Sequence, residues 1–371
     1  MAATTAPFVV SVSCPYPHRH RHRPTSALPP PLSSLSLRAS PAAPLSPLPG
    51  RRRNVAAAYG DDDMDDDFGD FDADDADGDD GSGVEWKDVT WSREHDLNAR
   101  LYRPRHLGAA NDARIPVVAY FHGGGAGGGF FCLGSGRWPG PHGWCLRLAA
   151  ELPAVVLSFD YRLAPEHRLP AAQDDGAAAV RWLLRRSPAS DPWLADAADL
   201  SRAFVAGDSA GGNVAHHVAA GLGRGGGAVR GAVLLAPAMF GEARTRSERE
   251  CPPDAFLTVE TCERYMRLAL PEEEGWTWDH PVINPAGPLA PALDAVAMAP
   301  VLVVAGGSDL LRDRNREYAR RMKEEWGKDV EYVEIAGAGH GFFQLDPWSE
   351  HADEVVRIVR RFVVDHMDSS E

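Results

Sequence analysis

The pattern of apolar and polar positions changes near residue 84. Beyond that point, continuous apolar runs at 116–121, 154–161, 203–206, 232–235 and 301–304 predict strands buried in the middle of a sheet. A further strand is predicted at 330–335, and two opening strands around 87–90 and 97–102. Between them, apolar residues return at helical spacing over 171–185, where Val180, Leu183 and Leu184 share one face. Helices are predicted likewise at 213–222, 314–326 and 350–364. Strands alternating with helices make this an α/β chain with a mostly parallel sheet covered on both faces. Residues 237–297 break the rhythm with a helical segment containing Trp and Pro. Inserted between core strands, that segment is expected to sit over the strand ends as a cap.

Ahead of residue 84 the periodicity is lost. Residues 1–60 contain no Asp or Glu and are rich in Ser, Pro, Ala and Arg, a composition that matches a plastid transit peptide. Arg51-Arg52-Arg53-Asn54-Val55-Ala56-Ala57-Ala58 is a plausible processing region. Residues 61–80 then hold thirteen aspartates. Such a tract repels itself and buries no apolar surface, so 61–83 is expected to be an acidic linker and 84–371 the folded domain. The net charge of -15 is concentrated in that tract, and an acidic chain repels nucleic acid. No apolar run approaches the roughly 18 residues that cross a bilayer. Five cysteines without a CxxC point to free thiols in a reduced compartment. The pattern does not specify an oligomeric state, and no spacing of His, Asp or Glu suggests a metal site.

The chemistry concentrates where strands end. Gly207-Asp208-Ser209-Ala210-Gly211 follows an apolar strand and precedes a helix, the context of a nucleophile elbow. A serine nucleophile needs a base within hydrogen-bond reach and an acid to orient that base. Asp309 follows the strand at 301–305 through Gly306-Gly307-Ser308, and His340 lies among Gly337, Gly339 and Gly341 after the strand ending at Ile335. Strand-end loops on one sheet edge converge, so Ser209, Asp309 and His340 are expected to meet as a catalytic triad. Asp313 is the alternative acid, but its position inside the next helix suits a helix cap better. His167, His216, His217 and His351 read as helical or surface residues. His122-Gly123-Gly124-Gly125 follows the strand at 116–121, where backbone N–H groups of Gly123 and Gly124, with that of Ala210, are expected to form an oxyanion hole. The glycine run continues to Gly129, and either part of it is able to line the hole. Phe256, Tyr265, Trp276 and Trp278 are either pocket liners or cap core.

Together, His122–Gly125, Gly207–Asn213 (GDSAGGN), Asp160–His167 (DYRLAPEH), Asp309, His340 and Asn284–Pro288 (NPAGP) resemble the hormone-sensitive-lipase-like branch of α/β-hydrolases. More narrowly, they are similar to plant carboxylesterases related to the gibberellin receptors. The resemblance runs from about residue 84 to the C-terminus. It implies an α/β-hydrolase fold with a helical cap, and hydrolysis of small-molecule carboxylic esters through an acyl-serine intermediate without a cofactor. Asp208 and the 160–167 stretch are then scaffolding. Two other family activities stand beside hydrolysis. One is a lactone-forming acyl transfer in the plastid. The other is non-catalytic hormone binding of the gibberellin-receptor type, in which the triad histidine is replaced, whereas His340 is present here. The chain departs from the family in a longer glycine loop and in the absence of recognisable N-terminal lid helices.

Overall fold

Eight strands build one sheet: β1 (Val84–Ser92), β2 (Leu97–Pro104), β3 (Ile115–Phe121), β4 (Val155–Phe159), β5 (Ala198–Asp208), β6 (Gly231–Leu235), β7 (Val301–Gly306) and β8 (Val330–Ile335). They lie in the order β1-β2-β4-β3-β5-β6-β7-β8. The first two join antiparallel to each other and to β4, and every pair from β4 to β8 is parallel. The helices are α1 (Pro139–Glu151), α2 (Ala171–Arg185), α3 (Pro192–Ala197), α4 (Ala210–Arg224), α5 (Arg246–Arg249), α6 (Val259–Ala269), α7 (Arg312–Glu324), α8 (Phe342–Leu345) and α9 (Glu350–Met367). This is the α/β-hydrolase fold. The computed structural model describes residues 82–105, 114–124, 129–185, 191–224, 229–272 and 275–368. The leader expected at 1–60 and nearly all of the acidic tract lie outside those residues.

The two-residue period of a strand sends alternate side chains to opposite faces, and each apolar run supplies both. Val118, Tyr120, Phe204, Val233 and Leu302 face one layer, with Trp144 and Leu148 of α1 and Val355, Val359 and Phe362 of α9. Val117, Phe121, Val205, Leu234 and Val303 face the other, with α2, α4, α7 and the cap. Each fully buried Val, Leu or Phe stabilises by about 1.5–3 kcal/mol relative to exposure. The chain passes from β3 to β4 on one side, then crosses to β5 on the other. The crevice beyond the ends of β3 and β5 is therefore a topological switch point, the place where open α/β sheets bind ligands.

Three elements differ from expectation. Helix α1 forms over a stretch without helical periodicity. β5 begins at Ala198, five residues earlier than its apolar run. Among its described residues, the segment between β6 and β7 is helical only at α5 and α6, and is otherwise turns and irregular chain. Among the described residues, no helix is long and apolar enough to cross a membrane. Cys132, Cys145, Cys251 and Cys262 are free.

Candidate active site

Ser209 stands between the end of β5 and the start of α4 with φ at 50°, a left-handed conformation that costs an ordinary side chain. Three backbone bonds hold it there. Its N–H donates to the Leu235 carbonyl (2.9 Å), and its carbonyl accepts from Ala238 (2.8 Å) and Asn213 (3.1 Å). Gly211 explains the glycine requirement. A Cβ there would run into the Phe121 carbonyl oxygen and lie 2.6 Å from that of His122. The helix start therefore packs directly on the end of β3.

The loops after β7 and β8 are strapped together. Gly307 N–H donates to the Ile335 carbonyl (2.7 Å) and Ser308 N–H to that of Ala338 (2.8 Å). This brings Asp309 Oδ2 to 2.8 Å from His340 Nδ1, while His340 Nε2 lies 3.0 Å from Ser209 Oγ. A carboxylate only accepts, so Nδ1 donates and Nε2 is left to accept the serine hydroxyl. The other oxygen, Asp309 Oδ1, accepts the Leu311 N–H (2.8 Å), so both oxygens are fixed. All three side chains are buried. Asp313 is not near this chain of bonds. Its carboxylate accepts the Ser247 N–H (2.8 Å) and pairs with Arg312 and Arg316. Nor does it cap α7, whose N-cap position is Leu311. Burial disfavours the His340 imidazolium, but Asp309, with a further contribution from Asp208, outweighs it and raises the pKa above the ordinary value.

His122 ends β3. Its ring stacks on Tyr161 (centroids 4.6 Å apart), and the Tyr161 hydroxyl donates to the His122 carbonyl (2.7 Å). Asp160 Oδ1 accepts from Ser135 Oγ (3.0 Å) and Gly136 N–H (2.9 Å). The Asp160-Tyr161 pair thus holds both ends of the glycine loop, of which 125–128 lie outside the described residues. The Ala210 N–H opens α4, where no residue of its own helix accepts it. Gly123 corrects the sequence reading. Its N–H donates to Asp208 Oδ1 (3.1 Å), so that donor already has an acceptor and does not fit an oxyanion hole. Asp208 also accepts the Tyr120 hydroxyl (2.6 Å). Burial pushes its carboxyl pKa up to about 6, against the opposing pull of Tyr120, His340 and the Gly123 N–H.

Asn213 ties the nucleophile helix to its surroundings. Its Nδ2 donates to the carbonyls of Val282 (2.9 Å) and Ala238 (3.2 Å), and its Oδ1 accepts from Gln173 (2.9 Å). Arg162 makes a bidentate pair with Asp175. Of the four cap aromatics, Phe256 is the one whose ring lies parallel to His340, 6.5 Å away and 40% exposed. Trp278 is buried against Phe240 and Trp276 as cap core. His216 and His217 belong to α4 but are not surface residues. They bond inward, to the Tyr318 hydroxyl (2.7 Å) and the Val282 carbonyl (2.9 Å). His167 is exposed in a turn and His351 exposed on α9. A cavity of about 450 Å³, lined among others by Phe240, Asn284, Arg314 and Tyr318, includes no triad residue in its walls.

Comparison with known proteins finds relatives of the same fold. A family model described as the alpha/beta hydrolase fold matches residues 118–344. Chloroplastic tuliposide A-converting enzyme 2 of Tulipa gesneriana is 36% identical over 253 residues, 67% of this chain and 63% of that protein. The chain thus spans just under two thirds of that relative's length. A gibberellin receptor of Arabidopsis thaliana is 35% identical over 284 residues, 73% of this chain and 78% of the receptor. Among solved structures, an esterase of Pyrobaculum calidifontis superposes with a TM-score of 0.62 at 31% identity, covering 76% of this chain and 84% of that one. A thermostable esterase of Pseudomonas putida gives 0.65 at 25% identity, covering 78% and 85%.

Proposed function

The chain belongs to the α/β-hydrolase fold family, and on that premise we propose that it is a serine carboxylesterase acting on small-molecule carboxylic esters. The observation that carries this reading is the unbroken line of bonds from Asp309 through His340 to Ser209. His340 Nε2 takes the Ser209 proton as Oγ attacks the ester carbonyl. Asp309 holds the imidazole in the required tautomer and stabilises its charge. The N–H groups of Ala210 and Gly124 receive the oxyanion. The alcohol leaves with the proton from His340, and water repeats the sequence on the acyl-serine, with no cofactor. Residues 84–371 form the catalytic domain, 1–60 direct it to the plastid and 61–83 link the two. The chloroplastic relatives support that address.

The likeness to gibberellin receptors raises hormone binding as a rival, but the His340 ring, with Nε2 3.0 Å from Ser209 Oγ, favours catalysis. Transfer of the acyl group to one of its own hydroxyls, forming a lactone, would use the same site. The test is hydrolysis of short-chain p-nitrophenyl esters by the whole chain, with Ser209→Ala and His340→Ala beside it. Each variant is expected to lose at least about 10³-fold in kcat. Activity that survives in Ser209→Ala overturns the reading. Mass analysis of products from hydroxyacyl esters separates free acid from lactone.

A further inference from the structure

Asp208 is left over by the mechanism above: a buried carboxylate next to the nucleophile, whose donors are a hydroxyl and a peptide N–H rather than a cation. Burying such a charge is costly unless its hydrogen bonds serve it well. Building on the proposed hydrolysis, we infer that Asp208 is a positioning residue for the oxyanion loop: through Oδ1 it fixes the Gly123 peptide, and so aims the following N–H, that of Gly124, at the reacting oxygen, with a hold that depends on its negative charge.

The geometry supports this in three ways. Asp208 is the last residue of β5 and is bonded directly to Ser209, so one backbone carries both the nucleophile and the anchor. The loop is pressed against that backbone, since a Cβ on Gly123 would strike the Asp208 carboxylate and lie 3.1 Å from Ser209 Cβ. Tyr120, reaching across from the neighbouring strand β3, fixes the same oxygen at 2.6 Å. A bond from N–H to a charged carboxylate is about twice as strong as one to a neutral acceptor, so protonation loosens the anchor.

The groups facing Asp208 are Tyr120 from β3, Cys145 from α1, Tyr161 beyond β4 and His340 from the loop after β8. Burial pushes both tyrosines and the thiol upward, so they stay neutral. Burial pulls neighbouring His122 down, so it too stays neutral. His340, whose pKa Asp309 raises, and Asp208, at about 6, remain as the facing groups that gain protons on the acid side. The enzyme works with both unprotonated. Activity should therefore fall on the acid side with a slope of log(kcat/KM) steeper than 1 over about one pH unit around the Asp208 transition.

The experiment is the pH profile of p-nitrophenyl ester hydrolysis by the whole chain and by Asp208→Asn and Tyr120→Phe, with melting curves to show that each folds. Asp208→Asn keeps an acceptor but has no charge. It should lower kcat by about tenfold with KM within about threefold, reduce the acid slope to 1, and move the midpoint to lower pH, because His340 loses a stabilising neighbour. Binding of a trifluoromethyl ketone, whose adduct places an oxyanion in the hole, should weaken by the same factor as kcat. Tyr120→Phe removes a bond that favours the carboxylate and should move the acid limb to higher pH. If wild type hydrolyses through Ser209 and Asp208→Asn keeps its slope and kcat, the role of Asp208 is overturned and the hydrolase reading stands. An unmoved limb in Tyr120→Phe overturns it equally. If wild type lacks Ser209-dependent hydrolysis, the function itself fails and the inference with it.

Discussion

Replacing Asp309 by Asn tests the orientation of the base with almost no change of shape. In the structure, each carboxylate oxygen has one duty: Oδ1 accepts the Leu311 N–H and Oδ2 accepts from His340 Nδ1, both at 2.8 Å. An asparagine has one oxygen. The Leu311 N–H is a buried backbone donor that cannot turn away, so the oxygen must stay with it. The side-chain NH₂ then faces His340 Nδ1, which becomes an acceptor, and the ring proton moves to Nε2. Nε2 then donates to Ser209 where it should accept. Such a tautomer error costs a serine triad about 10⁴ in kcat, or about 5 kcal/mol of barrier at 1.36 kcal/mol per tenfold. The assay is kcat for p-nitrophenyl acetate near pH 8, with the melting temperature measured alongside. Asp313→Asn is the control. Its carboxylate serves Ser247 and two arginines, so it should change kcat by less than about threefold. A loss below tenfold in Asp309→Asn, or a large loss in Asp313→Asn, would refute the assignment.

Gly211→Ala puts a Cβ against two backbone carbonyls and should destabilise by about 2–3 kcal/mol, whereas Gly221→Ala, with open space at the same helix's far end, should gain about 0.4–1 kcal/mol; urea midpoints compare them. Burial lowers the His217 pKa to about 4, below its unfolded value near 6.5, so the unfolded chain binds more protons between those values. Through His217 alone, stability should therefore fall by about 2 kcal/mol from pH 7 to pH 5; buried His216, also lowered, adds a loss of the same sign, and His217→Gln should remove only the His217 share of the slope in urea titrations. Phe256→Ala removes a half-exposed ring over His340, so it should cost less than about 1 kcal/mol of stability while raising KM for aryl esters several-fold over alkyl esters.

The central strands were legible because each contains a short apolar run, and the elbow because glycines stand where backbones touch. Asp309 and His340 were legible by their places after strands, since a parallel sheet brings those ends to one edge. Helix α1 was not. It opens Pro139-Gly140-Pro141 and carries Gly143, residues with poor helix propensity. Packing decides it: Trp144, Cys145 and Leu148 are buried, and the Trp144 ring lies 4.8 Å from Phe343. The duty of Gly123 was hidden too, because a glycine's sequence context does not reveal where its N–H points. The bond to Asp208 is a long-range contact, 85 positions apart. Phe256 had no distinguishing signal among the cap aromatics. Asp313 has the sequence position of a helix cap, yet a partner from another element, Ser247, takes its carboxylate.

The bonds of Asn213 have a consequence for how such a protein diversifies. One amide joins the helix behind the nucleophile to α2 and to the chain that closes the cap, and parting them would strand polar atoms in the interior. The bonds of this one side chain therefore tie the three segments together. Phe256, half in solvent and parallel to the His340 ring, stands outside that bonded unit. On the proposed esterase reading, selectivity for one ester over another can thus be rewritten at Phe256 while the bonds of Asn213 are left untouched.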